Sequence, residues 1–163
     1  MKNLFIALLF MFVSCVAAQD TTKFSDKALS DRLVTLEGES ISFSEILKKY
    51  KGKKVVIEVW ASWCSDCIKG MPKLKELQNE YNQDIVYLFL SLDKTQKSWK
   101  KGIEKYNVRG EHYYLQSGWK GDFCASIDLD WIPRYMVVAP SGTIELFKAT
   151  VANDEKFEAA IRK

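Results

Sequence analysis

Two strongly apolar runs, the first interrupted by the single acid Glu58, and one helical apolar pattern mark the centre of the chain. Residues 55–60 and 85–92 are rich in β-branched and aromatic side chains, as expected of strands buried on both faces. Between them, a helix from Cys64 to about Tyr81 is predicted by apolar side chains that recur every three or four residues: Ile68, Met71, Leu74 and Leu77. The order strand, helix, strand predicts a parallel pair at the core of an α/β domain.

Further elements are predicted on both sides of this centre. Residues 33–42 indicate a hairpin-like entry, and Ser42-Phe43-Ser44-Glu45 matches the capping box that begins a short helix. An amphipathic helix is expected over 95–106, where Trp99, Ile103 and Tyr106 share a face. The rest of the chain predicts a short strand within 108–115, a short helix at 119–126, a hairpin of strands 135–139 and 143–147, and a helix at 154–162.

The first eighteen residues have the pattern of an export signal. Lys2 precedes an apolar run from Leu4 to Val13, and Val16-Ala17-Ala18 supplies the small residues that signal peptidase accepts. We therefore predict cleavage before Gln19. An uncleaved anchor and lipidation of Cys15 are the two alternatives.

Charge excludes one class of partner. The chain has 24 basic and 21 acidic residues, for a formal net charge of +3. Loss of Lys2 with the signal leaves 23 basic residues and a balance of +2. Such a near-neutral domain offers no electrostatic basis for binding nucleic acid. We expect a monomer whose lysines are solvated.

Three cysteines lie beyond the signal segment: Cys64, Cys67 and Cys124. They are too few for a disulfide framework. Cys64 opens a helix, where unpaired backbone N–H groups and the helix dipole stabilise a thiolate. Cys67, one turn further on, is placed to attack a mixed disulfide formed at Cys64. The pair is predicted to be a redox-active dithiol, and a structural staple in a binding module is the alternative.

A zinc site is another possible use of the cysteines. Cys124 and His112 would complete a set of three cysteines and one histidine with the close pair. Only one C-x-x-C is present, however, and no second close ligand pair exists. We therefore predict no metal, no cofactor other than the Cys64–Cys67 disulfide, and a buried, unreactive Cys124.

The sequence around the dithiol resembles the thioredoxin superfamily. The most specific part is the run from Glu58 to Cys67, with Pro72 following, and the likeness extends to Trp131-Ile132-Pro133-Arg134-Tyr135 and the turn Pro140-Ser141-Gly142. More narrowly, the chain resembles the exported TlpA/ResA-like branch of thiol–disulfide oxidoreductases. The likeness begins near Leu33, so we divide the chain into a signal peptide (1–18), a polar lead-in (19–32) and a thioredoxin-like domain (33–163).

This resemblance implies the fold and the location of the protein. The fold would be α/β, with a central mixed β-sheet flanked by helices, an N-terminal strand extension, and an insertion before the strand that follows a cis-proline. The protein would work in the periplasm or cell envelope, where Cys15 could carry the lipid anchor considered above.

The resemblance also implies roles for residues around the dithiol. Ile132-Pro133 corresponds to the family's cis-proline step, whose backbone meets an extended substrate; a trans proline at an edge strand is the alternative. Glu58 would shuttle the proton of Cys67, with its pKa raised by burial, unless it is a partly exposed carboxylate of an edge strand. Trp63 would contact substrate, whereas Trp60 is expected mainly to pack.

Ser65 and Asp66, between the two cysteines, stand where the family tunes its redox potential. The negative charge of Asp66 should disfavour the Cys64 thiolate and so favour the disulfide. We therefore predict a reductant.

The predicted activity is reduction of disulfides in envelope proteins, with electrons supplied by an upstream thiol donor in the membrane. An oxidase or isomerase would use the same two cysteines and is the first alternative. A peroxiredoxin-like enzyme is a second, although the Pro-x-x-x-Thr/Ser-x-x-Cys pattern of that family is absent upstream of Cys64. A non-catalytic binding module is the third.

Overall fold

Seven strands form one mixed sheet in the computed structural model, which describes residues 22–81 and 85–163. The strands are β1 (Arg32–Val34), β2 (Ser40–Ser42), β3 (Lys54–Trp60), β4 (Ile85–Ser91), β5 (Glu111–Tyr114), β6 (Arg134–Val138) and β7 (Ile144–Ala149). Their order across the sheet is β2-β1-β5-β4-β3-β6-β7. The pairs β3–β4 and β4–β5 are parallel, and the other pairs in the sheet are antiparallel. The predicted mixed sheet and parallel centre are confirmed.

Helices cover both faces of this sheet: α1 (Asp26–Ser30), α2 (Phe43–Lys49), α3 (Ser65–Glu80), α4 (Gln96–Tyr106), α5 (Asp122–Ser126) and α6 (Glu155–Arg162). Contacts from α3 place α4 and α6 beside it, since Lys75 Nζ donates to the Tyr106 carbonyl over 2.9 Å and Lys73 pairs with Glu158 at 3.4 Å. On the opposite face, Phe43 of α2 packs edge-on against Phe123 of α5.

The helix starts follow the local sequence. Ser42 and Glu45 form the predicted capping box of α2, and Thr95 and Asp154 cap α4 and α6 with their side chains. The N-cap residue of α3 is Cys64, whose sulfur replaces the usual hydroxyl or carboxylate. The first turn of α3 is therefore capped by Cys64, the residue predicted to attack the substrate disulfide.

β3 lies at the centre of the sheet, between β4 and β6. Its residues from Val55 to Trp60 are buried, because neighbouring strands flank it and helices cover both of its faces. The chain leaves β3 at Ala61 and reaches Cys64 after a short turn closed by a hydrogen bond from the Cys64 N–H to the Ala61 carbonyl, 3.0 Å long. The dithiol thus stands at the carboxyl end of the central parallel strand.

Two segments differ from the prediction. The expected polar lead-in contains α1, whose five residues are too few to show a helical period in the sequence; Phe24 just before it packs against Phe43 and Phe123. The single helix predicted at 119–126 is divided at Gly121 into a 3₁₀ turn (Gly118–Lys120) and α5. The backbone of Gly121 is extended, which separates the two elements, and a side chain at this position would collide with Ser117.

Asp31 ties these two segments together. Its Oδ2 atom accepts one hydrogen bond from the Ser117 hydroxyl and one from the Phe123 backbone N–H, each 2.9 Å long. The residues just before β1 therefore hold the start of α5 and the turn that precedes it.

The predicted signal peptide and the alternative at Cys15 fall outside the described residues. Within 22–81 and 85–163, no helix has the length and apolar content needed to cross a bilayer.

Candidate active site

Cys64 and Cys67 form a disulfide across the first turn of α3. The Cys64 sulfur also accepts a hydrogen bond from the Cys67 backbone N–H over 3.1 Å. In the reduced protein this contact and the helix N-terminus would stabilise a thiolate at Cys64. Cys64 keeps 6% of its surface exposed and Cys67 keeps none, so an incoming disulfide meets Cys64 first.

The Ile132–Pro133 bond is cis, as predicted, and it lies against the dithiol. The Ile132 carbonyl oxygen is 3.5 Å from the Cys64 sulfur, and both Ile132 and Pro133 are buried. The backbone just before β6 therefore borders the Cys64 sulfur.

Glu58 lies in the middle of β3 and is 1% exposed. It pairs with Phe89 of β4 on one side and with Tyr135 of β6 on the other, so the alternative of a partly exposed edge-strand carboxylate is wrong. Burial raises the pKa of Glu58 to about 8. At neutral pH this carboxyl group is mostly protonated and can exchange a proton in the range where thiols ionise.

Tyr135 is the hydrogen-bond partner of Glu58, a role that the sequence did not predict. Its hydroxyl donates to Glu58 Oε1 over 3.4 Å, whereas Glu58 Oε2 has no hydrogen-bond partner among the described residues. The same hydroxyl lies against Gly70 of α3, where a Cβ atom added to the glycine would approach it to 2.7 Å. Gly70 is one turn after Cys67, so Tyr135 places the Glu58 carboxyl group beneath the active-site helix.

Asp93 is a second polar residue whose role the sequence did not predict. It is buried, and its carboxylate accepts hydrogen bonds from the Ser62 backbone N–H (3.0 Å), the Ser62 hydroxyl (2.6 Å) and the Ser91 hydroxyl (2.9 Å). Ser62 is two residues before Cys64. Asp93 therefore fixes the turn that delivers Cys64 from β3 to α3. The signal that could have found it is an acidic residue just after an apolar strand.

Three exposed tryptophans surround Cys64. Trp63 is 54% exposed, Trp119 41% and Trp131 56%, and all three line a cleft of about 290 Å³ together with Cys64 and Ile132. Trp60 is fully buried, in keeping with its expected packing role. Trp119 had no predicted role, since it comes from the inserted segment before β6 and only the folded chain brings it to Cys64.

Ser65 and Asp66 are exposed at the first turn of α3. Asp66 forms an ion pair with Lys69 at 3.3 Å, which offsets part of the negative charge beside the dithiol. That Asp66 tunes the redox potential stays a prediction. The positive charge of Lys69 would favour the Cys64 thiolate, whereas the negative charge of Asp66 would disfavour it.

The side chains considered as zinc ligands do not come together. His112 stacks on Phe89 and its Nε2 atom bonds to the Val108 carbonyl at 3.0 Å. Cys124 is a free thiol buried in α5, and burial raises its pKa to about 12. In the part of the chain that the structure describes, no three histidine, cysteine or acidic side chains are grouped as a metal would require.

The fold and the dithiol together define a thioredoxin-fold redox protein, and sequence comparison agrees. The thioredoxin-like family matches residues 52–144, more than half of the chain, and the chain belongs to that family. The resemblance stated from the sequence is thereby confirmed.

Several relatives and structural neighbours are named as thiol–disulfide oxidoreductases or as thioredoxin-like proteins. Over 79 residues the chain is 38% identical to the thioredoxin-like protein YneN of Bacillus subtilis, a match that covers 47% of this chain and 44% of YneN. Over 75 residues it is 35% identical to the thiol-disulfide oxidoreductase ResA of Bacillus cereus, covering 45% and 41% of the two chains. The matches thus span less than half the length of these curated relatives.

Solved structures match over a longer stretch. The thioredoxin domain of the thiol-disulfide oxidoreductase BVU-2223 from Bacteroides vulgatus has a TM-score of 0.68 and 25% identity, covering 85% of this chain and 95% of that one. A thiol:disulfide interchange protein from Bacteroides sp. has a TM-score of 0.64 and 26% identity, covering 78% and 82%. The chain therefore belongs to the thiol–disulfide oxidoreductase family and has a Cys-x-x-Cys pair at Cys64 and Cys67.

Proposed function

We propose that this protein is an exported reductant of protein disulfides, acting in the cell envelope. The observation that carries the proposal is the asymmetry of the pair: Cys64 faces a cleft at the start of α3, whereas Cys67 is enclosed behind it. One sulfur is placed to meet a substrate and the other to resolve the product.

In the first step the Cys64 thiolate attacks a sulfur of the substrate disulfide. A bond forms between Cys64 and that sulfur, and the substrate disulfide breaks, so that its second sulfur leaves as a thiolate and takes a proton from solvent. The Cys67 N–H and the start of α3 stabilise the attacking thiolate.

In the second step the Cys67 thiolate attacks the Cys64 sulfur and forms the Cys64–Cys67 bond. The bond between Cys64 and the substrate breaks, and the substrate sulfur leaves as a thiolate that takes a proton from solvent. Cys67 must first lose its proton. Glu58, a buried carboxyl group of β3, can accept this proton once it is ionised, either directly or through a water molecule. Two electrons pass to the substrate, and the protein is left with the Cys64–Cys67 disulfide. A thiol donor must then reduce this disulfide, and a membrane-bound donor would suit an envelope protein.

The direction of electron flow rests on the stability of that disulfide. Asp66 lies beside the pair, and its charge opposes formation of a second negative charge at Cys64, although Lys69 offsets part of the effect. A stable disulfide makes the reduced protein a stronger electron donor. The export signal predicted at residues 1–18 supports the envelope as the place of action.

The proposal is tested by equilibrating the protein with glutathione or dithiothreitol and by assaying insulin reduction. We expect a reduction potential near that of thioredoxin, about −270 mV, and insulin reduction that is lost in Cys64→Ser. A potential close to that of DsbA, about −120 mV, would show an oxidase instead. Insulin reduction by Cys64→Ser at the wild-type rate would exclude catalysis through this pair.

A further inference from the structure

The large apolar side chains on the surface are concentrated around Cys64. Among the described residues, five such side chains are strongly exposed: Leu36, Trp63, Trp119, Trp131 and Val151. All except Leu36 border the cleft at Cys64 or the depression next to it. Exposed apolar groups that occur singly need no explanation, but a cluster of tryptophans at a reactive group indicates a binding surface.

The cleft and the depression form one groove. The cleft of about 290 Å³ contains Cys64 and the three tryptophans, and the depression of about 440 Å³ contains Val151 and the side chains of Lys69 and Lys73. Both are lined by Trp131 and by Asp66, so Trp131 stands between them. An occupant attached to Cys64 would have an apolar contact on each side of its own sulfur.

The charges along this groove do not select a charged occupant. Asp66 pairs with Lys69 at 3.3 Å, and Lys73 pairs with Glu158 at 3.4 Å. Because each charge already has an opposite partner, an ionic peptide would gain little by binding here. Apolar contact with the tryptophans is the main interaction that the groove can offer.

We infer that Trp63, Trp119, Trp131 and Val151 form a docking groove for an extended polypeptide segment whose reactive cysteine is flanked by aromatic or large aliphatic residues. The inference rests on the proposed function, because the mixed disulfide with Cys64 is what holds the substrate's own chain in the groove. In a folded protein large apolar neighbours of a cysteine are usually buried. The groove therefore selects disulfides in chains that are unfolded or wrongly paired.

Two peptide disulfides test this selectivity. One is the disulfide dimer of Ac-Gly-Phe-Cys-Phe-Gly-NH₂, and the other has serine in place of both phenylalanines; rates are divided by those with dithiothreitol to remove intrinsic reactivity. We expect the reduced protein to prefer the phenylalanine peptide by about tenfold or more, since two aromatic contacts contribute. Trp119→Ala and Trp131→Ala should each slow this peptide by ~2- to 10-fold more than they slow the serine peptide.

Leu36→Ala is the matched control, because Leu36 is exposed and apolar but lies outside the groove. It should change neither rate. Equal rates for the two peptides in the wild type would overturn the inference. So would tryptophan variants that slow the serine peptide and glutathione disulfide as much as the phenylalanine peptide, since they would then act on Cys64 itself.

A binding measurement separates the groove from the redox activity. The monomeric phenylalanine peptide with serine in place of cysteine is titrated while the indole N–H resonances are followed, and shifts that weaken in Trp131→Ala support the groove. If the protein binds this peptide but reduces no disulfide, the proposed function fails and the groove stands. If it reduces both disulfides equally and shows no shift, the groove fails and the function stands. A concentration-dependent dimer that Trp131→Ala dissolves would assign the surface to a second copy of the chain and overturn the inference.

Discussion

The hydroxyl of Tyr135 donates a hydrogen bond to Oε1 of Glu58 within the buried centre of the sheet, at 3.4 Å. Glu58 occupies β3 and Tyr135 the neighbouring β6, which follows the cis Ile132–Pro133 bond. The chain that passes Cys64 at Ile132 therefore continues into the strand whose Tyr135 binds the Glu58 carboxyl group. Tyr135 is in this way a positioning residue for the proton acceptor that we propose for Cys67.

Replacement Tyr135→Phe should move the pH dependence of the second step. The hydrogen bond lowers the pKa of Glu58, so its loss raises that pKa, and more base is needed to ionise the carboxyl group. We expect the rate of resolution by Cys67 to rise at a pH about one unit higher than in the wild type. Single-turnover reduction of glutathione disulfide, followed by tryptophan fluorescence, measures the profile.

The first step supplies the control for Tyr135→Phe. In a Cys67→Ser background only the attack by Cys64 is observed, and its pH profile should be the same with Tyr135 or phenylalanine. A shift of equal size in that background would mean that Tyr135 acts on Cys64 and not through Glu58.

Replacement Glu58→Gln should remove a pH dependence from stability. The pKa of this carboxyl group is about 8 when folded and close to 4.5 when unfolded, so the unfolded chain binds fewer protons over this interval. The oxidised wild type should therefore lose roughly 1 kcal/mol of unfolding free energy per pH unit on going from about pH 5 to pH 7.5, and the variant should not. Guanidinium unfolding at several pH values measures the slopes.

The exposed Glu104 of α4 offers a matched control, because Glu104→Gln changes the same group outside the core. It should keep the wild-type slope. Identical slopes for Glu58→Gln and the wild type would show that the buried carboxyl group titrates normally.

Gly70 and Tyr135 should be energetically coupled. A methyl group at Gly70 would lie 2.7 Å from the Tyr135 hydroxyl oxygen, so Gly70→Ala should destabilise the protein by about 1–3 kcal/mol despite the better helix propensity of alanine. In a Tyr135→Phe background the oxygen is absent, and Gly70→Ala should become neutral or stabilising by about 1 kcal/mol. Chemical denaturation of the four proteins gives the coupling energy. Additive effects would place the hydroxyl away from α3.

Asp93→Ala should destabilise the turn before Cys64. The substitution leaves the Ser62 N–H, the Ser62 hydroxyl and the Ser91 hydroxyl without their acceptor, and we expect a loss of about 3 kcal/mol. Ser62→Ala, which removes one donor and leaves the other two bonds in place, should cost about 1 kcal/mol. Urea unfolding provides both values. A loss below about 1 kcal/mol for Asp93→Ala would mean that the turn is held by other contacts.

The sequence allowed prediction of groups whose signal is local. Cys64 and Cys67 stand out by spacing and position between a strand and a helix, and Glu58 stands out as one acid in an apolar strand. Tyr135 carries no such signal, since a tyrosine in an apolar strand looks like core until its partner across the sheet is known. Trp119 is brought to the dithiol by an insertion whose path no local pattern specifies.

Energetics explain the two local misses in the fold. The helix α1 has only five residues, too few for periodicity or intrinsic helix stability, and depends on the packing of Phe24 and Ala28. The break at Gly121 lies where the backbone is extended and where Ser117 leaves no room for a side chain. Both α1 and the break at Gly121 depend on tertiary contacts, and the pattern of residues along the chain does not show such contacts.

Asp31 gives the N-terminal segment a part in choosing substrates. Its carboxylate holds Ser117 and Phe123, and Trp119 stands on the turn between them. Residues 52–144, which the family shares, contain the dithiol but not this anchor. A chain cut to those boundaries would lack the support for one wall of the groove, and a relative with a different segment before β1 would orient that wall differently. Sequence changes outside the region matched by the family thus offer a route to new client proteins while the sulfur chemistry stays unchanged.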